Sequence, residues 1–185
     1  MTASVTWLAD ERRASAEARI LDAAGRLFAD RGISNVGMIE IAEAAGCSRA
    51  TLYRYFADRT SLHVAYVHRE TRRIATRVAS VADAIDDPAE RVLAAVTTAL
   101  REVRIAPPLL AWFRAVDAGA TAELANASPL IAAAGAALLG DPGDPDVQER
   151  AQWLVRVVVS LLATPGPSPA DERRMLERFV IPLVV

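Results

Sequence analysis

Apolar residues recur three to four positions apart along nearly the whole chain, and strict apolar–polar alternation is scarce. That period predicts helices throughout and an all-α protein. Several helix starts are marked by a capping residue followed by proline, at Asp87-Pro88, Ser128-Pro129, Asp144-Pro145 and Ser168-Pro169. An Asp or Ser oxygen accepts an orphan N–H of the first turn, and proline is pre-set for the first helical position. Glu90 and Asp171 follow their caps by three residues, where the helix dipole favours an acid. About nine helices are expected from these marks, over roughly 15–31, 38–45, 49–56, 59–82, 88–105, 109–118, 129–139, 145–163 and 169–181. Gly32 and Gly46 stop the first two, while the paired prolines Pro107-Pro108 and the run Pro165-Gly166-Pro167 separate later ones.

The sharpest pattern lies in the first third. Ile20, Ala24, Leu27 and Phe28 share one face of the first helix. Met38, Ile41, Ala42 and Ala45 share one face of the second, where the two alanines permit close helix approach. Gly46 then supplies a left-handed residue, and Cys47-Ser48 completes a tight turn. In the short third helix Leu52 and Phe56 point inward, which leaves Arg, Thr and Tyr side chains on one small surface. Two short helices joined by a glycine turn, the second rich in donors, form the helix-turn-helix pattern. A hairpin that only packs is the bland alternative, but exposed Tyr and Arg at this density are costly without a partner.

Charge adds a weak hint in the same direction. The net charge is −2, yet residues 1–80 hold 12 Arg against 9 Asp and Glu, while 81–185 hold 9 Arg against 14. A mildly basic front suggests an anionic partner there alone. The single cysteine, Cys47, excludes an intramolecular disulfide framework and a Cys-based metal site. Residues 1–13 lack the apolar core of a secretory signal. The richest apolar stretch, 153–163, is interrupted by Arg156 and far too short for a bilayer, which needs roughly 20 apolar residues. A cytoplasmic protein with no membrane partner is expected.

Gly32, then Ile41-Ala42-Glu43-Ala44-Ala45-Gly46, Ser48-Arg49-Ala50-Thr51-Leu52-Tyr53-Arg54-Tyr55-Phe56, Arg59 and Leu62 resemble the DNA-binding domain of TetR-type repressors. The resemblance covers about residues 16–62 and implies their roles. Thr51, Tyr53, Arg54 and Tyr55 take the places that touch DNA from the recognition helix. Ser48 and Arg49 flank its start beside the backbone, and Arg59 stands near phosphate where the family usually has lysine. Gly37 belongs to the same set, although the family usually carries Thr or Ser where Val36 and Gly37 stand, which leaves a poorer cap. Ile39 occupies a place that is often polar and DNA-facing, and Cys47 replaces a common valine. The implied architecture is an arm over 1–14, a three-helix helix-turn-helix domain over 15–62, and a helical ligand-binding and dimerisation domain over 63–185. The implied function is a ligand-responsive repressor that binds a pseudo-palindromic double-stranded operator as a homodimer.

The back half carries no diagnostic residues of its own. Trp112, Phe113 and Val116 are candidates to line a pocket for a small apolar effector, against the plainer reading of core. The helix over 145–163 is apolar nearly all round, so one face wants a second partner. Leu154, Val158, Leu161 and Leu162, with Met175 and Phe179 of the last helix, are expected to form a self-complementary patch that pairs two chains into a four-helix bundle. His63 and His68 are five apart on different faces, so no metal site is expected from them. No phosphate loop and no Ser/His/Asp constellation points to an enzyme or a cofactor. An apolar-ligand carrier without DNA binding is the competing expectation.

Overall fold

The computed structural model describes residues 3–113 and 118–185, with side chains for 11–113, 119 and 121–185. Among the described residues there are eleven α-helices, one 3-10 turn and no strand. The chain divides into two compact units, Met1–Val67 and His68–Val185, with the division inside the fourth helix.

The first unit holds α1 (Ala3–Arg31), α2 (Met38–Ala45), α3 (Arg49–Tyr55) and the start of α4 (Arg59–Ala82). Helix α1 begins a dozen residues earlier than expected, so residues 3–14, expected as an arm, are helical and continuous with α1. Ser15 resembles a cap, but residues 3–14 contain no Gly or Pro to interrupt a helix. Gly32 ends α1 at φ 79°, its N–H bonded to the Phe28 carbonyl at 2.9 Å. Gly46 ends α2 at φ 67°. Its N–H reaches the Glu43 carbonyl and the Cys47 N–H reaches Ala42, both at 3.0 Å, the paired bonds of a Schellman turn. Ile20, Ala24, Phe28, Ile41, Leu52, Leu62 and Tyr66 make the core.

Tyr66 and His63 meet the Phe28 ring edge-on, each with centroids 5.4 Å apart. Tyr66 also lies over Gly25, where an added Cβ would come within 3.1 Å of the ring. Leucine at position 25 should therefore destabilise the unit by about 1–3 kcal/mol through overpacking. Gly25→Ala should cost much less, because alanine favours helix by about 1 kcal/mol over glycine. Urea unfolding of the two variants checks the order, and a leucine variant as stable as the parent would show that Tyr66 yields.

The second unit comprises the rest of α4, α5 (Pro88–Arg104), α6 (Pro107–Leu110), a 3-10 turn (Ala111–Phe113), α7 (Ala118–Ala127), α8 (Pro129–Leu139), α9 (Pro145–Ala163), α10 (Pro169–Phe179) and α11 (Ile181–Val184). The capping residues Asp87, Ser128, Asp144 and Ser168 each accept a backbone N–H, from Glu90, Ile131, Asp146 and Asp171. Over 109–113 the expected helix is instead the end of the short α6 and the 3-10 turn, residues 114–117 of that expectation lie outside the described residues, and α7 was not foreseen. The last helix, expected over 169–181, ends earlier: α10 stops at Phe179, and Pro182 sits in the first turn of a separate helix α11.

Helices α8 and α9 approach closely at Gly135, Ala136 and Ala151, where small side chains leave little between the backbones. Across the unit, Arg104 of α5 forks onto Glu172 of α10 with two bonds of 2.7 Å. The same guanidinium reaches the Leu161 carbonyl at 3.0 Å, and Glu172 also accepts the Gly166 N–H at 2.8 Å. Glu172 is buried. Its carboxyl is held below the usual glutamate range, first by the Arg104 hydrogen bond and against the opposing effect of burial.

Candidate nucleic-acid interface

Helix α3 is only seven residues long, and a helix that short is not stable alone. Two things hold it. The Ser48 hydroxyl accepts the Thr51 N–H at 3.1 Å, and Leu52 and Phe56 are buried beneath it. Anchored on that side, the helix turns Arg49, Tyr53 and Arg54 outward, with Tyr53 49% exposed. Thr51 is half-buried, and its hydroxyl lies 2.9 Å from that of Ser48. Tyr55 is half-buried as well, with the Arg54 guanidinium 5.6 Å over its ring, which orients that arginine.

Helix α2 presents Ile39, 40% exposed, near its start. Gly37 is the extended N-cap residue and offers no capping side chain. Its own N–H goes instead to Glu40 Oε2 at 2.9 Å. Arg59 is half-buried: one Nη donates to the Ile33 carbonyl, and its buried Nε has no partner. Its guanidinium is thus partly committed to the turn between α1 and α2. Just before it, Asp58 caps α4 by accepting the Ser61 N–H at 2.7 Å. That bond, then the Ser61 hydroxyl, keeps the Asp58 carboxyl below the usual range.

The structure thus brings Arg49, Thr51, Tyr53, Arg54 and Tyr55 together on one short helix capped by Ser48, with Gly37 at the cap of α2 and Arg59 at the start of α4 in the same unit. Exposed guanidinium groups can grip guanine edges or phosphates with two bonds, and a tyrosine hydroxyl suits a phosphate oxygen. The Glu40 contact with Gly37 was not foreseen from the sequence, although an acid three residues after a position without a capping side chain was a readable signal.

The other expected sites fare differently. Trp112 is buried and its carbonyl accepts the Thr121 hydroxyl, Phe113 is half-buried, and Val116 lies outside the described residues. Leu154, Leu161 and Leu162, expected at a contact between chains, are 4%, 7% and 5% exposed in the single chain. They face the second unit's own core, because α9 packs there on α5, α8 and α11 as well. Val158 and Met175 are half-buried, Phe179 is 58% exposed, and Trp153, which the expected patch left out, is 45% exposed.

Residues 20–66 match the family described as bacterial regulatory proteins, tetR family. Over 186 residues the chain is 50% identical to an uncharacterized HTH-type transcriptional regulator of Mycobacterium tuberculosis, covering 98% of this chain and 92% of that one. Two solved structures share the fold at 22% identity. The TetR family repressor AlkX from a Dietzia strain, implicated in biodegradation of n-alkanes, has a TM-score of 0.64 over 91% of this chain and 94% of its own. RolR in complex with the ligand resorcinol has a TM-score of 0.70 over 95% and 90%. The relatives are transcriptional regulators, not enzymes.

Proposed function

Since the chain belongs to the TetR family of DNA-binding transcriptional regulators, we propose that it is a repressor that binds a pseudo-palindromic operator as a homodimer and is released by a small apolar effector. The observation that carries the DNA-reading part is the set Arg49, Tyr53 and Arg54, turned outward from a helix whose other side is buried at Leu52 and Phe56. Two such helices would enter successive major grooves, ~34–36 Å apart along the duplex. Residues 15–62 would serve as the reading head and 63–185 as the part that pairs and responds.

The effector reading draws on composition. Helix α8 carries no charged residue, and Trp112 lies in an apolar stretch of the same unit. A solved fold neighbour holds resorcinol, which favours a small organic ligand as the class to test first. An effector can act only through its different affinity for the two states, and about 1–3 kcal/mol of coupling is typical.

A gel shift with duplexes taken from a random-sequence pool tests the core of the proposal. Binding through several phosphates should fall steeply as salt rises, and no binding to any duplex would favour the carrier reading. The pairing is tested with Trp153→Arg, which leaves the monomer's core untouched, and Val158→Arg. A charge buried without a partner costs several kcal/mol, so at least one variant should sediment as a monomer and bind DNA weakly. Two variants that remain dimeric would move the contact away from α9.

A further inference from the structure

We propose that Glu40 is a positioning residue for DNA reading: braced by Arg31 of α1, it secures the start of α2 where Gly37 has no capping side chain. The proposal rests on the DNA-binding reading above. The first N–H groups of any helix lack partners within it, and a side chain at the N-cap ordinarily satisfies one of them. Gly37 sits in the N-cap conformation, φ −100° and ψ 163°, with no atom to do this. Glu40 turns back and accepts the Gly37 N–H with Oε2 at 2.9 Å, one half of what is usually a reciprocal pair. Its other oxygen, Oε1, receives Arg31 Nη1 at 2.5 Å.

Arg31 is 50% and Glu40 39% exposed at the side chain, so the ion pair adds little to overall stability. Its effect is geometric. It ties the end of α1 to the beginning of α2 across the turn 32–36, where Asn35 donates to the Arg31 carbonyl and Arg59 to the Ile33 carbonyl. The far end of α2 is held by Arg19, which donates to the Ala45 carbonyl at 3.3 Å. Eight residues form too short a helix to keep its own direction. The Schellman turn at Gly46 and Cys47 then passes that direction on to α3, and with it to Arg49, Tyr53 and Arg54. Groups that read a ligand work only when supporting hydrogen bonds hold them in place.

The sign of the effect separates this role from a bystander's. A carboxylate beside a polyanion repels it, so a Glu40 without a positioning role should bind DNA more tightly once removed. As a brace, its loss should weaken binding. The experiment measures affinity for a duplex that the parent chain selects from a random-sequence pool, amide hydrogen exchange at Gly37 without DNA, and the thermal midpoint. Glu40→Ala should lower affinity about tenfold, speed exchange at Gly37, and barely move the midpoint. Glu40→Gln, which keeps an acceptor, should stay within about threefold of the parent. Gly37→Ser added to Glu40→Ala should recover most of the affinity, since a Cβ at position 37 meets nothing closer than a Glu40 oxygen at 3.5 Å. Unchanged or tighter DNA binding by Glu40→Ala overturns the proposal, and so does a serine that restores nothing. If the parent selects no duplex, the DNA-binding reading fails by itself. Exchange at Gly37 then still decides the brace, and equal rates with and without the carboxylate refute it.

Discussion

Truncating Arg54 to alanine should lower affinity for the selected duplex by about five- to 150-fold, the range that follows from 1–3 kcal/mol for a bidentate base contact. Two readings of the contact give different fingerprints. If the guanidinium grips a guanine, the loss falls on one base position and preference there relaxes. If it grips phosphate, the loss is uniform across sequences and the salt slope drops by about one. Tyr53→Ala should act in the same direction, since Tyr53 is exposed on the same short helix. Tyr55→Ala should show a smaller loss, because its ring only supports Arg54 from 5.6 Å. Helical content should hold in all three, as Leu52 and Phe56 keep the anchor. Competition binding against single-base variants of the duplex reads both loss and preference. Unchanged binding by Arg54→Ala and Tyr53→Ala together would remove their assigned roles.

The second large effect belongs to the other unit. Glu172→Ala should cost about 3 kcal/mol of unfolding free energy, because it strands the Arg104 guanidinium beneath α10 with one carbonyl partner left. The pH dependence follows from the direction of the shift. Arg104 favours the ionised carboxylate, so Glu172 holds its proton less tightly folded than unfolded. Its stabilisation is fully present above the ordinary glutamate value, about 4.3, and is lost as pH falls through the lower value of the folded state. Urea midpoints of the parent should therefore drop through that acid window more steeply than those of Glu172→Gln, which starts weaker and has no proton to take up. Parallel curves for the two chains would remove the clamp. Gly166 belongs to the same arrangement, since a Cβ there would lie 2.8 Å from Glu172 Cγ.

Much of the fold is written in local signals, and the misses share a cause. Helices α2 and α4 run over the residues expected, because their ends are set by short-range chemistry: glycine at φ 67° after α2, and a capping Asp58 before α4. The starts at Pro88, Pro129, Pro145 and Pro169 were readable for the same reason. Proline alone does not fix a boundary, since the last helix was expected to run to 181 and Pro182 instead stands in the first turn of a separate helix. The outward-facing set on α3, Arg49, Tyr53 and Arg54, was visible because spacing and residue type agree within nine residues. The assignment of Leu154, Leu161 and Leu162 was not within reach of spacing, because an all-round apolar helix does not say which of its faces the same chain will cover. Arg59 shows a similar limit, as the Ile33 carbonyl it meets is 26 residues away.

The turn between α2 and α3 contains the chain's single thiol, Cys47, partly open to solvent. A thiol-directed fluorophore or spin label would therefore attach once per molecule, beside the helix that carries Tyr53 and Arg54, with no background from elsewhere in the sequence. The protein comes with a built-in handle for watching that helix meet a duplex, and no cysteine need be engineered in or out to use it.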